Sequence, residues 1–306
     1  MEWSFDLVAG PYGGTTEGPV WNGEALLFTH IPTSRILRHD PASGETTEYR
    51  TNTNRTNGLA FDARGRLYGC CASGRSIVRF EDDGATTTIV DRLTGRRLNT
   101  PNDLAIDGAG RVWFTNPWNP PNIDPWETPE LGEEQVLRAD PQPDGSYSLR
   151  RMTTDMTRPN GILVSPDEKT LYVAQSHSEA GRVRDLRAYP ILENGELGPY
   201  ILLHQFGEDY RGPQRGIDGM KFDTDGNIVA TAGWSRCGPG PMIYVFDTTG
   251  RVLETHPMPQ GIDLPTNLCF GGPNMDVLYV TTSPGHLFRV DNPGRRGWLM
   301  WPPRGI

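Results

Sequence analysis

The chain has 306 residues with 36 glycines and 27 prolines, so turns are frequent, long helices are few, and there is length enough to bury a substantial core. A formal charge of −9 and a pI near 5.2 exclude the basic surface that nucleic-acid binding requires, and they leave room for a cation site. No apolar run approaches membrane-spanning length, so no membrane partner is expected.

Met1 to Leu7 lacks a basic segment followed by an apolar core and is not read as a secretory signal. Trp3 to Ala9 is an isolated strand-like stretch. Beyond it one unit recurs: a polar residue, a short apolar strand, an Asp/Gly turn and a second apolar strand. The copies are Glu17 to Phe28, Asn57 to Gly69, Thr100 to Thr115, Asn160 to Val173, Asp218 to Ala230 and Asn267 to Val280. Second-strand residues Leu27, Tyr68, Trp113, Tyr172, Val229 and Tyr279 follow the opening polar residue by 10 to 12 positions.

In five units a third strand comes next: Arg35 to Asp40, Ser76 to Glu81, Gln135 to Asp140, Met242 to Asp247 and His286 to Asp291. A Gly turn and a more polar fourth strand follow most of these, as in Gly44 to Arg50 and Gly250 to Thr255. The opening residues fall at 17, 57, 102, 160, 218 and 267, at intervals of 40 to 58 residues. Several strands in a repeat of this length indicate an all-β, six-bladed β-propeller with four antiparallel strands per blade. The sixth unit runs short of a fourth strand after Asp291, so Trp3 to Ala9 is expected to supply it and close the ring. The whole of 1–306 is read as one domain.

Two insertions lengthen the third and fourth units. Asn116 to Glu127 is rich in Pro and Trp, which suits an ordered covering loop better than a linker. Ser176 to Arg184 has no such signature. The cysteines, Cys70, Cys71, Cys237 and Cys269, match no zinc spacing; reduced thiols and a cytoplasmic location are expected.

The innermost strands of a propeller run side by side along the central channel, so equivalent residues converge on its axis. Here those are Glu17, Asn57, Asn102, Asn160, Asp218 and Asn267. A single Asn at such a position is most simply a turn residue. Six oxygen donors at one phase, two of them carboxylates, instead favour a hard divalent cation, although not all six need touch it. The loops after each second strand should surround this ring. They bring His30 and His177 as candidate general acids, bases or pocket residues. Trp118, Trp234 and Arg236 would suit a polyhydroxylated or anionic small molecule. Cys71 has no partner base in sequence and is read as a buried thiol.

Glu17-Gly18-Pro19-Val20-Trp21, Pro101-Asn102-Asp103-Leu104, Pro159-Asn160-Gly161 with Ser165-Pro166-Asp167, Asp218-Gly219-Met220, and Pro265-Thr266-Asn267 leading to Phe270-Gly271-Gly272 carry a resemblance. Over residues 15 to 291, in this order, the chain resembles the senescence marker protein 30, gluconolactonase and luciferin-regenerating enzyme family. The resemblance implies a six-bladed propeller with a divalent metal, Ca²⁺ first and Mg²⁺, Zn²⁺ or Mn²⁺ after it, and hydrolysis of a lactone. It implies Glu17, Asn160 and Asp218 as metal ligands, Asn102 against metal or substrate, Asp218 as general base, and Asp103 one layer behind. The chain departs from the animal members at Thr100, where they carry Arg, and from many relatives at His30, where they carry Asp.

The expectation is therefore a metal-dependent lactonase with Asp218 and Asn102 catalytic, and with Asn102, His30, Trp118, His177, Trp234 and Arg236 contacting a small-molecule substrate. Phosphotriester hydrolysis or other chemistry at the same metal site is the first rival, and a non-enzymatic binding propeller the second. A monomer or weak homo-oligomer is expected.

Overall fold

The computed structural model describes residues 2–303; residues 1 and 304–306 of the expected domain lie outside the described residues. Six four-stranded antiparallel sheets form the blades of a propeller. Blade 1 consists of Thr16–Trp21, Leu26–His30, Arg35–His39 and Thr46–Arg50, and blade 3 of Leu104–Ile106, Val112–Asn116, Gln135–Pro141 and Tyr147–Arg151. In blade 6 the outermost strand is Asp6–Ala9, paired antiparallel with Leu287–Asp291, so the N-terminal segment closes the ring as expected. The strand starts three residues later than the sequence suggests, because Trp3 serves as an anchor instead. Its ring stacks on His256 at 3.7 Å, and its Nε1 donates to the Pro293 carbonyl at 3.0 Å.

Asp185–Pro190 is the third strand of blade 4, which the repeat pattern misses because the 176–184 insertion displaces it. Among the described residues the only helical turns are the short 3₁₀ segments Ile31–Thr33 and Pro120–Asn122, and no helix is long and apolar enough to cross a membrane. All four cysteines are buried and unpaired.

The recurring Asp/Gly turn has a physical cause. The Asp107 carboxylate, fully buried, accepts from the backbone N–H groups of Ala109 and Arg111 at 3.0 Å, from Arg111 Nε at 2.6 Å and from Trp113 Nε1 at 2.8 Å. Asp62 and Asp223 hold the corresponding turns in the same way. Replacing Asp107 by Ala strands the buried Trp113 Nε1 and removes the acceptor for three partly buried N–H groups at once. Chemical denaturation of Asp107→Ala is expected to show a loss of about 3 kcal/mol, against a much smaller loss for Asp144→Ala in an exposed turn.

Neighbouring blades are locked near the channel. Second-strand threonines donate to carbonyls of the next blade's first strand: Thr29 to Asn57 at 3.0 Å, Thr115 to Asn160 at 2.8 Å and Thr231 to Thr266 at 2.8 Å. The glycine after an opening polar residue exists for the same close approach. A Cβ on Gly18 would stand 2.3 Å from the Asn57 carbonyl oxygen, and one on Gly219 would stand 2.1 Å from the Asn267 side chain. At the far ends of these first strands, Trp298 to Trp301 cross the channel, and Trp301 Nε1 donates to the Ile106 carbonyl at 3.0 Å. Apolar side chains therefore line that end of the channel, and the opening residues line the other.

Candidate metal and substrate site

A β-bulge or register shift follows the opening residue in five blades, at Glu17/Val20, Thr56/Leu59, Pro159/Ile162, Ile217/Met220 and Pro265/Leu268. Such an irregularity re-aims a side chain out of the regular alternation. Glu17, Asn57, Asn102, Asn160 and Asp218 accordingly share the wall of a cavity of about 280 Å³ at the channel mouth. Asn267, the sixth member of the sequence-derived ring, lies underneath. It donates to Glu17 Oε2 at 2.9 Å and to Asp103 Oδ2 at 3.5 Å, and so fixes one carboxylate against the other.

The electrostatics of this floor are costly. Burial pushes the Glu17 carboxyl well above the usual carboxylate range, and the nearby Asp218 and Asp103 carboxylates push it further. Burial likewise raises Asp218, against the opposing pull of the Arg215 guanidinium and the Asn160 amide, with Asp103 adding to the rise. Asp103 is raised by burial and partly relieved by Lys221. Arg215 pairs with Asp218 through Nη2 and donates from Nη1 to the Pro265 carbonyl at 2.8 Å.

These residues fit a hard dication. Oxygen is the available donor throughout, two carboxylates are among the wall residues, and the buried Asn57 Oδ1 has no hydrogen-bond partner. The amide of Asn160 is needed for the set, since among the described residues no three His, Cys, Asp or Glu side chains cluster as ligands by themselves. The Asn102 amide makes no side-chain hydrogen bond among the described residues, while its backbone is held by Thr115 O at 3.0 Å and by Gly58 N at 2.8 Å. It faces the cavity with both ends of its amide free.

Other expected substrate contacts lie off the cavity wall. Trp118 sits between Pro117 and Asn119, and His177 between Ser176 and Ser178; in each case the two flanking residues line the cavity and the central one does not. Extended backbone sends alternate side chains to opposite sides, so the expectation is out of phase by one residue. Trp118 packs 5.4 Å from the Arg75 guanidinium instead, and His177 Nδ1 accepts from the Glu179 N–H at 3.1 Å. His30 ends a second strand, fully buried, with Nδ1 2.6 Å from Thr33 Oγ1. Trp234 donates to the Pro213 carbonyl at 3.0 Å, and Arg236 lies 5.1 Å from its ring, both apart from the cavity.

The sequence reading missed Asn119, Asn122, Arg158, Ser178 and Arg215, all of which line the cavity. The 117–126 insertion supplies part of this wall. Thr100 Oγ1 ties it down, donating to the Pro117 carbonyl at 2.6 Å and accepting from the Asn119 N–H at 2.8 Å.

The family pattern described as SMP-30/Gluconolactonase/LRE-like region matches residues 15–284. The chain belongs to this family. It is 30% identical over 286 residues to the gluconolactonase of Zymomonas mobilis, covering 88% of this chain and 76% of that protein. It is 26% identical over 276 residues to the 6-deoxy-6-sulfogluconolactonase of Pseudomonas putida, covering 87% and 82% of the two. A solved structure of a Xanthomonas campestris gluconolactonase superposes with a TM-score of 0.78 at 30% identity, covering 95% of this chain and 90% of that one. In this member of the SMP-30/gluconolactonase family, Glu17, Asn102, Asn160 and Asp218 lie on one cavity wall.

Proposed function

We propose that the protein is a divalent-metal-dependent lactonase acting on a sugar lactone or related cyclic ester. The observation that carries this reading is the meeting of Glu17, Asn160 and Asp218 on the wall of an open cavity, in a family whose named relatives include lactonases.

Glu17, Asn160 and Asp218 would hold the metal, and Ca²⁺ suits their oxygen-only chemistry best. A bound dication supplies Lewis-acid polarisation of the lactone carbonyl and raises the acidity of nearby water. Asp218 accepts the proton that the attacking water gives up as its oxygen bonds to the carbonyl carbon. Arg215 holds the Asp218 carboxylate in place from three residues away, and Asn267 does the same for Glu17. Asn102 turns its free amide to the substrate and donates to the oxygen that gains charge. The ring C–O bond then breaks, the leaving oxygen is protonated, and a hydroxy acid results. The 117–126 segment, tied through Thr100, shields one side of the cavity from solvent.

The test is turnover of a panel of γ- and δ-sugar lactones, with a phosphotriester panel run in parallel. Lactone opening should disappear with a chelator and return when Ca²⁺, Mg²⁺, Zn²⁺ or Mn²⁺ is added back. Turnover confined to the phosphotriesters would transfer the reaction to that class, and full activity after chelation would overturn the metal's role.

A further inference from the structure

We propose that Arg158 is a specificity-determining residue, which binds an anionic substituent, carboxylate, sulfonate or phosphate, carried by the lactone. This rests on the lactonase reading and adds the substrate class.

Arg158 stands two residues before Asn160 and lines the cavity together with Asn119, Asn122, Ser176 and Ser178. Its backbone is clamped on both sides: the N–H donates to the Glu134 carboxylate, and the carbonyl accepts from the Ser176 N–H at 3.1 Å. It is held at φ 57°, a left-handed conformation that costs a non-glycine residue on the order of 1 kcal/mol or more. A glycine would meet this backbone demand without strain, yet the position carries the longest cationic side chain available.

The charge on that side chain is not spent within the protein. A guanidinium has five N–H donors, and Arg158 uses one, from Nη1 to Asn119 Oδ1 at 3.3 Å. Arg215, the other arginine on the cavity wall, is neutralised by Asp218, and Arg55, at the same phase of blade 2, lies 3.6 Å from Asp124. Among the described residues Arg158 forms no ion pair, and the nearby Glu134 carboxylate is occupied by the backbone N–H groups of Trp118 and Arg158.

The four charged residues on the cavity wall, Glu17, Asp218, Arg158 and Arg215, sum to zero. Glu17 and Asp218 are engaged at the floor, where they would hold the metal, and Arg215 is paired with Asp218. What an entering ligand meets at the side wall is therefore one forked cation among neutral amides and hydroxyls. That surface recognises a trigonal or tetrahedral oxyanion through paired N–H donors, with hydroxyl-bearing carbons alongside.

The test compares matched lactones: a neutral aldonolactone and the same ring carrying a terminal carboxylate, sulfonate or phosphate. The native protein should favour an anionic member in kcat/KM by at least about 10-fold, and its KM for that member should rise with salt. In Arg158→Met the anionic-to-neutral ratio should fall by about 30-fold, chiefly through KM, with Arg158→Lys recovering part of it. The arm with the strongest preference identifies the oxyanion. In parallel, calorimetry measures binding of an open-chain sugar diacid and of the matching sugar alcohol, which needs no turnover. Diacid binding that is lost in Arg158→Met supports the anion site even if every lactone is inert, in which case the lactonase reading alone fails. Neutral and anionic lactones treated alike by both proteins, with no diacid binding, would overturn the role of Arg158 and leave lactone hydrolysis standing.

Discussion

Asp218→Asn is expected to lower kcat for lactone opening by about three decades while the propeller stays folded. The substitution keeps the side-chain shape and its neighbours but removes the proton acceptor and one anionic oxygen donor, and each of these losses alone is worth on the order of 10²-fold or more. Folding is preserved because two electrostatic changes oppose each other. Arg215 loses its carboxylate partner, which costs stability. Glu17 and Asp103 lose a like-charged neighbour, which returns stability, since both are held above the usual carboxylate range partly by burial in shared surroundings. Steady-state kinetics and thermal melting, measured on the same preparations, check the pair of claims. Turnover within 10-fold of the native rate would remove Asp218 from proton transfer, whatever the melting curve shows.

The propeller was legible because its physical causes repeat. An oxygen-bearing residue followed by Gly marks where one blade's first strand must pass against the next, as Gly18 does against Asn57 and Gly219 against Asn267. The Asp/Gly turn marks a carboxylate that collects the turn's own N–H groups, as Asp107 does. Both causes are local or periodic, so the pattern reaches the sequence. The cavity side wall was not legible for the opposite reason. Whether Trp118 or Asn119 faces the ligand depends on the single-residue phase of an irregular loop, and that phase is set by Thr100 and Glu134, distant in sequence. His30 and Trp234 end second strands and are held by partners away from the cavity, His30 by Thr33 and Trp234 by the Pro213 carbonyl. Arg158 did leave a signal, namely a long cation two residues before the oxygen donor of its blade. Its side-chain partners could not be inferred without the fold.

Adding a divalent cation to chelator-treated protein is expected to raise the melting temperature near pH 7.5 by several degrees, and by much less near pH 5. The cause is the burial and crowding of Glu17, Asp103 and Asp218, with Arg215 and Lys221 as the cations in opposition. A ligand that binds only the folded chain at 100 times its Kd stabilises it by about 2.7 kcal/mol. Spread over a chain of this size, that corresponds to roughly 3 °C or more. The pH dependence follows from the direction of the shifts. Each of the three carboxyls is raised in the folded chain, so between its unfolded and folded values the folded chain holds protons that the unfolded chain has released. Without metal, these groups therefore withdraw stability as pH rises from about 4 upwards through their folded values. At pH 7.5 the cation replaces those missing protons and restores the balance. At pH 5 protons compete more strongly with the metal for the same oxygens. Melting curves at the two pH values, with and without Ca²⁺, measure the effect directly. Glu17→Gln should shrink the cation's contribution at pH 7.5, and a response that is equal at both pH values and unchanged in Glu17→Gln would place any bound cation somewhere other than this cavity.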